Sequence, residues 1–168
     1  MNDTSFALRV ERVGRPGAAA APTLVLLPAA ATTADDFVRE GFVDELDALG
    51  IDATVISAAV PLDVYAADRV VALVKAQLGT TTGAAPGPIW FVGISLGAMT
   101  ALACAEAHRS AVAGVFAIAP WPGPRGLWSD IPAIGLAAWA ARQREARFDD
   151  QRRVWRWLGE GARGGPQV

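Results

Sequence analysis

Apolar and polar positions alternate at the start of the chain and then give way to runs that are almost wholly apolar. The period of two at Phe6, Leu8 and Val10 is typical of a strand with one solvated face. Short apolar runs without this alternation indicate strands that are buried on both faces. Such runs cover residues 23–27, 53–58, 89–92 and 114–119. We therefore predict a sheet that is mostly parallel.

Apolar residues at helical spacing separate these runs. Thr33 with Asp36 three positions later is typical of a helix start, and Gly50 and Gly79 are typical helix stops. Asp63 offers a cap for the second helix. Helices are thus predicted at residues 33–49, 63–78 and 95–108. Strands that alternate with helices in this way form right-handed βαβ units, so the predicted fold class is α/β with a doubly wound sheet.

The pattern changes beyond Trp121. Prolines and glycines at 120–126 predict a loop, and helical spacing returns at 131–147 and 149–158. No internal repeat or second domain is found. We predict a single domain over residues 1–168, with three parts. These are the sheet with its crossover helices at 5–120, C-terminal helices within 131–158 and a flexible tail at 159–168.

Composition excludes several classes of function. The chain has 168 residues, 52% of them hydrophobic, and a net charge of -2, so it can bury a core and has no general attraction to nucleic acid or to anionic membranes. The apolar run near residues 18–31 contains two prolines and is too short to cross a bilayer. No basic and apolar leader precedes it, so a cytoplasmic location is expected. The lone Cys104 is expected to be a buried thiol.

The segment VGISLGAMTAL, residues 92–102, places Ser95 between Gly93 and Gly97. The motif lies where a predicted strand meets a predicted helix, which is the context of a nucleophile elbow. A serine on so sharp a turn has a strained backbone, and both glycines must lack side chains so that strand and helix can approach. Its hydroxyl would project over a helix N-terminus, which favours developing negative charge. Ser95 is therefore the candidate nucleophile.

Backbone amides near this turn are candidates for an oxyanion hole. The amide of Leu96 is one donor, because it directly follows the serine. The second should come from the loop after residues 23–27, where Ala29 or Ala30 lies within reach. The site would need no metal and no organic cofactor.

The order of TLVLLPAAAT, GISLG and GVFAIAPW along the predicted strands resembles the α/β-hydrolase family over about residues 5–125. The resemblance implies an esterase-like activity on small carboxylic esters or thioesters. PAAATTADDF stands where that family usually has a His-Gly or glycine-rich oxyanion loop. The loop is therefore present by position but differs in composition.

The resemblance also implies an acid and a histidine after Ser95, and neither has an obvious counterpart. His108, the only histidine, lies thirteen positions along one predicted helix, roughly 20 Å from the serine. A general base must approach within about 3 Å, so we interpret His108 as a cationic residue that complements the end of a helix. Asp130 is a candidate acid, although WSDIP also fits a helix cap before Pro132.

The family has two further strands that this chain lacks, so the strand at 114–119 should be an apolar sheet edge. Either the C-terminal helices or a partner, for example a second copy in a homo-oligomer, should cover it. Three alternatives follow for function: a shortened hydrolase with weak activity, an inactive remnant or binding module, or a site completed by a partner subunit. The arginines and tryptophans after residue 131 fit amphipathic helices with a solvated arginine face better than an adhesive surface for an acidic partner. Trp121 and Trp128 either line an acyl pocket or pack.

Overall fold

The computed structural model describes residues 7–13, 21–30, 32–59, 70–81, 87–143 and 149–161. Five strands form one sheet. They are β1 (Ala7–Val13), β2 (Thr23–Leu27), β3 (Ala53–Ala59), β4 (Ile89–Ile94) and β5 (Val112–Ile118). Their order across the sheet is β1-β3-β2-β4-β5. Strands β3, β2, β4 and β5 run parallel, while β1 pairs antiparallel with β3. The predicted mostly parallel sheet is confirmed.

Eight helices accompany these strands in the described residues. They are α1 (Asp36–Arg39), α2 (Phe42–Ala48), α3 (Val70–Thr81), α4 (Leu96–Ala107), α5 (Arg125–Trp128), α6 (Ile131–Ile134), α7 (Leu136–Arg142) and α8 (Asp150–Gly159). None of these described helices is long and apolar enough to cross a membrane.

The core has a layer on each face of the sheet, as a doubly wound fold requires. On one face, Phe37 of α1 packs with Leu26, Val55 and Val92 of the strands. On the other face lies a larger cluster. Its members come from β2, β3, β4, β5, α3, α4 and α8, and include Val25, Phe91, Val115, Val74, Leu102 and Trp157. Cys104 of α4 is fully buried there, as expected, and burial raises the pKa of its thiol to about 12.

Two predicted helices are divided, and glycine is the reason in each case. The helix predicted at 33–49 consists of α1 and α2, because Gly41 between them adopts the left-handed conformation with φ of 79°. The helix begins at Asp36 and not at the predicted Thr33. The backbone amide of Thr33 nevertheless donates to the Asp36 carboxylate at 2.9 Å, as the sequence pattern suggests. The helix predicted at 131–147 is interrupted at Gly135, which has φ of 81°, and residues 144–147 lie outside the described part.

Other predicted boundaries differ from the structure. Helix α3 continues through Gly79 to Thr81, so this glycine is not the predicted stop. The start predicted at Asp63 lies outside the described residues. The loop predicted at 120–126 runs into the short helix α5, because Pro124 directly precedes it and proline is tolerated at helix starts.

The last helix, α8, is amphipathic and ties the C-terminal region to α4. Its buried Val154 and Trp157 join the core, while Arg153 forms ion pairs with Asp150 and, across to α4, with Glu106 at 3.5 Å. Asp149 caps the helix by accepting from the Arg152 amide at 2.7 Å. The predicted solvated arginine face is therefore supported for α8, and a free adhesive patch is not.

Strand β5 forms one edge of the sheet, as predicted. Helix α4 packs on one of its faces, where Val115 joins the core. On the opposite face Phe116 is 58% exposed and Ile118 is 51% exposed. These two side chains form part of an open apolar groove of about 490 Å³, which also contains Leu24, Phe42, Trp90 and Val92. Of the two predicted covers, the described C-terminal helices leave this face of β5 open, since α8 packs on α4. Cover by a partner stays a prediction.

Candidate active site

Ser95 occupies the turn between β4 and α4, where the sequence motif places it. Its backbone has φ of 55° and ψ of -114°, a conformation that an L-residue adopts only when the surroundings hold it there. Only one other described non-glycine residue has a positive φ, namely Ala119 at 45°. The strained strand-to-helix corner expected from the motif is therefore present.

The two glycines of the motif allow this corner to close. A Cβ atom on Gly93 would overlap the backbone carbonyl of Gly97. A Cβ atom on Gly97 would in turn overlap the carbonyl groups of Leu27 and Pro28. Because backbone atoms cannot move aside as a flexible side chain can, neither position accepts a larger residue without displacing the turn. Gly97 also brings the loop after β2 into direct contact with the start of α4.

The end of β5 holds the main chain of Ser95 from both sides. The Ser95 amide donates to the carbonyl of Ile118 at 2.9 Å, and the Ser95 carbonyl accepts from the amide of Trp121 at 3.0 Å. Ala119 lies between these two partners with its positive φ. The bend at Ala119 therefore lets one short segment bind both backbone groups of the serine. No sequence signal identified this clamp, since alanine is not a residue that favours the left-handed region.

The amide of Leu96 lies at the first position of α4. The carbonyl of Ser95 accepts from the amides of Ala98 and Met99 at 3.1 and 3.2 Å, so those two donors of the first turn are used. The described residues provide no acceptor for the Leu96 amide, as is usual for the first amides of a helix. The Leu96 amide is thus an available hydrogen-bond donor beside Ser95. That it binds an oxyanion stays a prediction.

Ala29 and Ala30 follow β2 on the segment that Gly97 contacts. The carbonyl of Ala29 accepts from the backbone amide and the hydroxyl of Thr32, at 3.3 and 2.5 Å, which closes a tight loop. Ala30 is an exposed turn residue. Of these two alanines, Ala29 is the better placed candidate because it lines a cavity together with Ile94, the residue before the serine. No described contact joins either amide to Ser95.

This cavity has a volume of about 330 Å³, at the lower end of the range for small-molecule sites. Its apolar wall includes Pro28, Ala29, Phe37 and Ile94. Its polar rim includes Asp36, which bonds to Arg39 at 2.6 Å. The Thr33 backbone amide and hydroxyl donate to the Asp36 carboxyl and lower its pKa. The Asp36 carboxylate therefore remains ionised near neutral pH and is bound to Thr33 and Arg39, so it does not take up a proton there.

His108 lies at the opposite end of α4 from Ser95. Helix α4 runs unbroken from Leu96 to Ala107 and His108 caps its C-terminus, so about twelve rises of 1.5 Å separate the two residues. Burial, followed by the charge of Lys75, lowers the pKa of His108, while Glu106 acts in the opposite direction. This direction favours a neutral imidazole at pH 7 over the cation expected at the helix end. His108 cannot act as the base for the serine of its own chain.

Asp130 lies at the N-cap position of α6, but its side chain does not cap that helix. The backbone carbonyl of Asp130 accepts from the amides of Ala133 and Ile134, both at 3.1 Å. Its carboxylate accepts only a long bond, of 3.4 Å, from the Ser129 hydroxyl. The side-chain cap predicted from WSDIP is thus absent, because Asp130 has helical angles, with φ of -85° and ψ of -19°, whereas a capping residue is usually extended. The exposed Asp130 stays a candidate acid with no described link to the serine.

The two tryptophans of the loop after β5 have different surroundings. Trp128 packs against the cluster of Leu127, Trp139 and Ala140, and its indole donates to the carbonyl of Gly123 at 3.1 Å. Of the two predicted roles, these contacts favour packing for Trp128. Trp121 is 39% exposed and is bound to Ser95 through its amide, so it remains a candidate for the wall of a substrate site.

A metal centre has no support among the described residues, which contain no group of three His, Cys, Asp or Glu side chains close enough to hold an ion.

Comparison with known proteins gives no sequence match but clear structural similarity. Neither a protein-family model nor a curated protein matches the sequence. Est1E from Butyrivibrio proteoclasticus superimposes with a TM-score of 0.55 at 11% identity, over 73% of this chain and 50% of that chain. The structure of Est1E with ferulic acid bound gives a TM-score of 0.53 at 11% identity, over 74% and 53%.

A predicted CIB-like hydrolase from Thermoplasma acidophilum is also similar, with a TM-score of 0.47 at 18% identity, over 69% of this chain and 64% of that chain. The chain thus spans about half the length of Est1E. Structures with this similarity include esterases and other hydrolases. The sheet order, the tight corner at Ser95 and the two superpositions on Est1E together show that the chain has the α/β-hydrolase fold.

Proposed function

We propose that the protein is a serine-dependent hydrolase of small carboxylic esters or thioesters, with Ser95 as nucleophile and low activity. The amides of Leu96 and Ala29 would hold the oxyanion of the tetrahedral intermediate. The observation that carries this proposal is the conformation of Ser95, with φ of 55° and ψ of -114°. Such strain persists only where the surroundings maintain it, and it clusters at functional sites.

Three features of the site support this role. Ser95 stands at the N-terminus of α4, which favours the negative charge that develops during acyl transfer. The Leu96 amide has no acceptor in the described part of the chain. The cavity beside Ile94 and Ala29 is large enough for a small acyl or alcohol group.

We expect low activity because the only histidine of the sequence does not lie beside the serine. The only histidine of the sequence is at the far end of α4. In triad enzymes, loss of the histidine lowers kcat by about six powers of ten, and what remains comes from the oxyanion hole and substrate binding. We therefore expect a serine that reacts slowly with activated substrates. We place this activity in the cytoplasm.

The direct test is labelling with a fluorophosphonate probe, followed by mass mapping of the modified residue. We expect the probe to modify Ser95 in the folded protein, and Ser95→Ala to abolish the labelling. Ser129→Ala is the matched control, because Ser129 is exposed at a turn beside Asp130, and it should label as the parent does. Labelling that persists in Ser95→Ala, or no labelling of the folded parent, would overturn the proposal.

A second candidate is a non-enzymatic remnant or binding module, in which the corner at Ser95 is only a structural turn. The separation of Ser95 from His108 favours this candidate. Turnover of p-nitrophenyl acetate discriminates between the two. A rate that Ser95→Ala lowers by about tenfold or more excludes the remnant, whereas equal rates in parent and variant exclude the hydrolase.

A further inference from the structure

The outer side of β5 offers a row of backbone groups for pairing. Among the described residues no strand lies beyond β5. Its sequence VAGVFAI contains neither charge nor proline, the usual features that prevent an edge strand from pairing with another chain. Nothing in the strand itself therefore blocks the addition of a further strand.

The hydrogen bonds of the sheet show which groups face outward. The carbonyl of Ile118 accepts from Ser95 and so points toward β4. Backbone groups of successive residues in a strand point alternately to the two sides. The amide and carbonyl groups of Val115 and Ala117 therefore point toward the free side of β5.

Two exposed apolar side chains, Phe116 and Ile118, lie on β5. Phe116 stacks on Trp90 of β4, with centroids 5.6 Å apart and planes at 23°. Phe116 is nevertheless 58% exposed, and Ile118 beside it is 51% exposed. A partner at this edge must therefore match an uncharged strand with a large apolar side chain at its centre.

We propose that β5 pairs antiparallel with β5 of a second copy of this chain, in a register centred on Phe116. Val115 of one copy then lies opposite Ala117 of the other, and each such pair exchanges two backbone hydrogen bonds. This register pairs all the outward-pointing amide and carbonyl groups of Val115 and Ala117. The two Phe116 residues face one another at a non-hydrogen-bonded position, where aromatic side chains interact closely.

A second copy fits this edge because the pairing is two-fold symmetric. An isologous contact needs a surface that is complementary to itself. An uncharged strand with a central Phe116 meets that condition, and the net charge of -2 per chain adds little repulsion. The stacked Trp90 and Phe116 of each copy would form one row of four rings across the joint. Ile118 would lie opposite Gly114, whose side-chain space is filled by the ring of Trp90.

The test combines sedimentation velocity with cysteine cross-linking. The parent chain should sediment as a dimer at micromolar concentration. Phe116→Cys should form a covalent dimer on mild oxidation, because facing residues at a non-hydrogen-bonded position have Cα atoms about 4.5 Å apart, within the range for a disulfide. Ile118→Cys is the matched control: it is similarly exposed but faces Gly114, so it should cross-link at least tenfold more slowly. The native Cys104 is fully buried and does not compete.

A parent chain that sediments as a monomer, or equal cross-linking of the two cysteine variants, would overturn the proposal. Because Phe116→Cys removes a large side chain, the folding of both variants is checked by circular dichroism. A second variant, Phe116→Glu, should sediment as a folded monomer, since two carboxylates would face one another at the joint. Leu49→Glu adds the same charge at a position that is 64% exposed and should remain a dimer. A dimer that persists in folded Phe116→Glu would also contradict the proposed register.

Discussion

The two ends of helix α4 differ in how tightly their surroundings define them. At its start, Ser95 is bound on both sides by the end of β5, and Gly97 is in contact with the loop after β2. At its end, His108 closes an ordinary helix terminus, and its Nε2 atom is buried without a partner in the described residues. The first end maintains a strained conformation, and the second holds a half-buried histidine whose pKa is lowered. A candidate nucleophile and the only histidine thus occupy the same helix but cannot meet.

The largest effect is expected at the His108 end, where α8 is anchored. Trp157 is 1% exposed and lies under the guanidinium of Arg109, 5.7 Å from the ring centroid. Trp157→Ala should lower the free energy of unfolding by about 3–5 kcal/mol, because it leaves a cavity between α4 and α8. Urea denaturation measures this loss. Trp121→Ala at the other end removes a more exposed ring, so an equally large loss there would contradict the packing described for Trp157.

A substitution at the Ser95 end tests the close approach of α4 to β2. Gly97→Ala should lower the free energy of unfolding by about 2–3 kcal/mol, since the new Cβ overlaps backbone carbonyls that cannot rotate away. Gly126→Ala is the control, because a Cβ there meets nothing within 4 Å and alanine suits its helix. If the two variants were equally stable in urea, the contact at Gly97 would not limit the turn.

Relief of strain provides a smaller effect of opposite sign. Ser95→Gly should raise the free energy of unfolding by about 1 kcal/mol, because glycine adopts a positive φ without steric cost. Ser129→Gly should instead lower it slightly, since Ser129 has helical angles, with φ of -55° and ψ of -30°. Thermal and urea unfolding of both variants give the comparison. Destabilisation by Ser95→Gly would show that the corner is not strained.

The smallest effect is the pH dependence contributed by His108. Its pKa is lowered in the folded chain from an unfolded value of about 6.5, so the unfolded state binds more protons in the interval between the two values. Stability should therefore fall as the pH decreases below about 6.5, until the lower pKa of the folded state is reached. His108→Gln should remove this part of the pH dependence of urea unfolding. Stability that increases on acidification in this interval would contradict the assignment of a neutral, buried imidazole.

The sequence was most informative where burial and backbone geometry impose residue types. All five strands were predicted: continuous apolar runs indicated the four parallel strands, and the alternation at Phe6, Leu8 and Val10 indicated β1. The corner at Ser95 was predicted because only glycine allows the contacts at Gly93 and Gly97. The apolar runs and the glycines around Ser95 are both local signals, and the structure confirms the strands and the corner that they predicted.

Features that depend on tertiary context could not be predicted. Gly41 and Gly135 have positive φ and interrupt helices, while Gly79 lies within one, and the residue type does not distinguish them. Ala119 adopts a positive φ because it lies between two partners of Ser95, which no local pattern reveals. The neutral state of His108 likewise depends on burial and on Lys75, a residue from another helix.

The central proposal is that Ser95 acts as a nucleophile to which the only histidine of its own chain cannot serve as base. The pH dependence of its labelling rate by a fluorophosphonate tests this claim most directly. Without a neighbouring base, the rate should be slow and rise continuously with hydroxide concentration through neutral pH, identically in parent and His108→Ala. A fast rate with a plateau near pH 7, the profile of a titrating histidine, that disappears in His108→Ala would contradict the account.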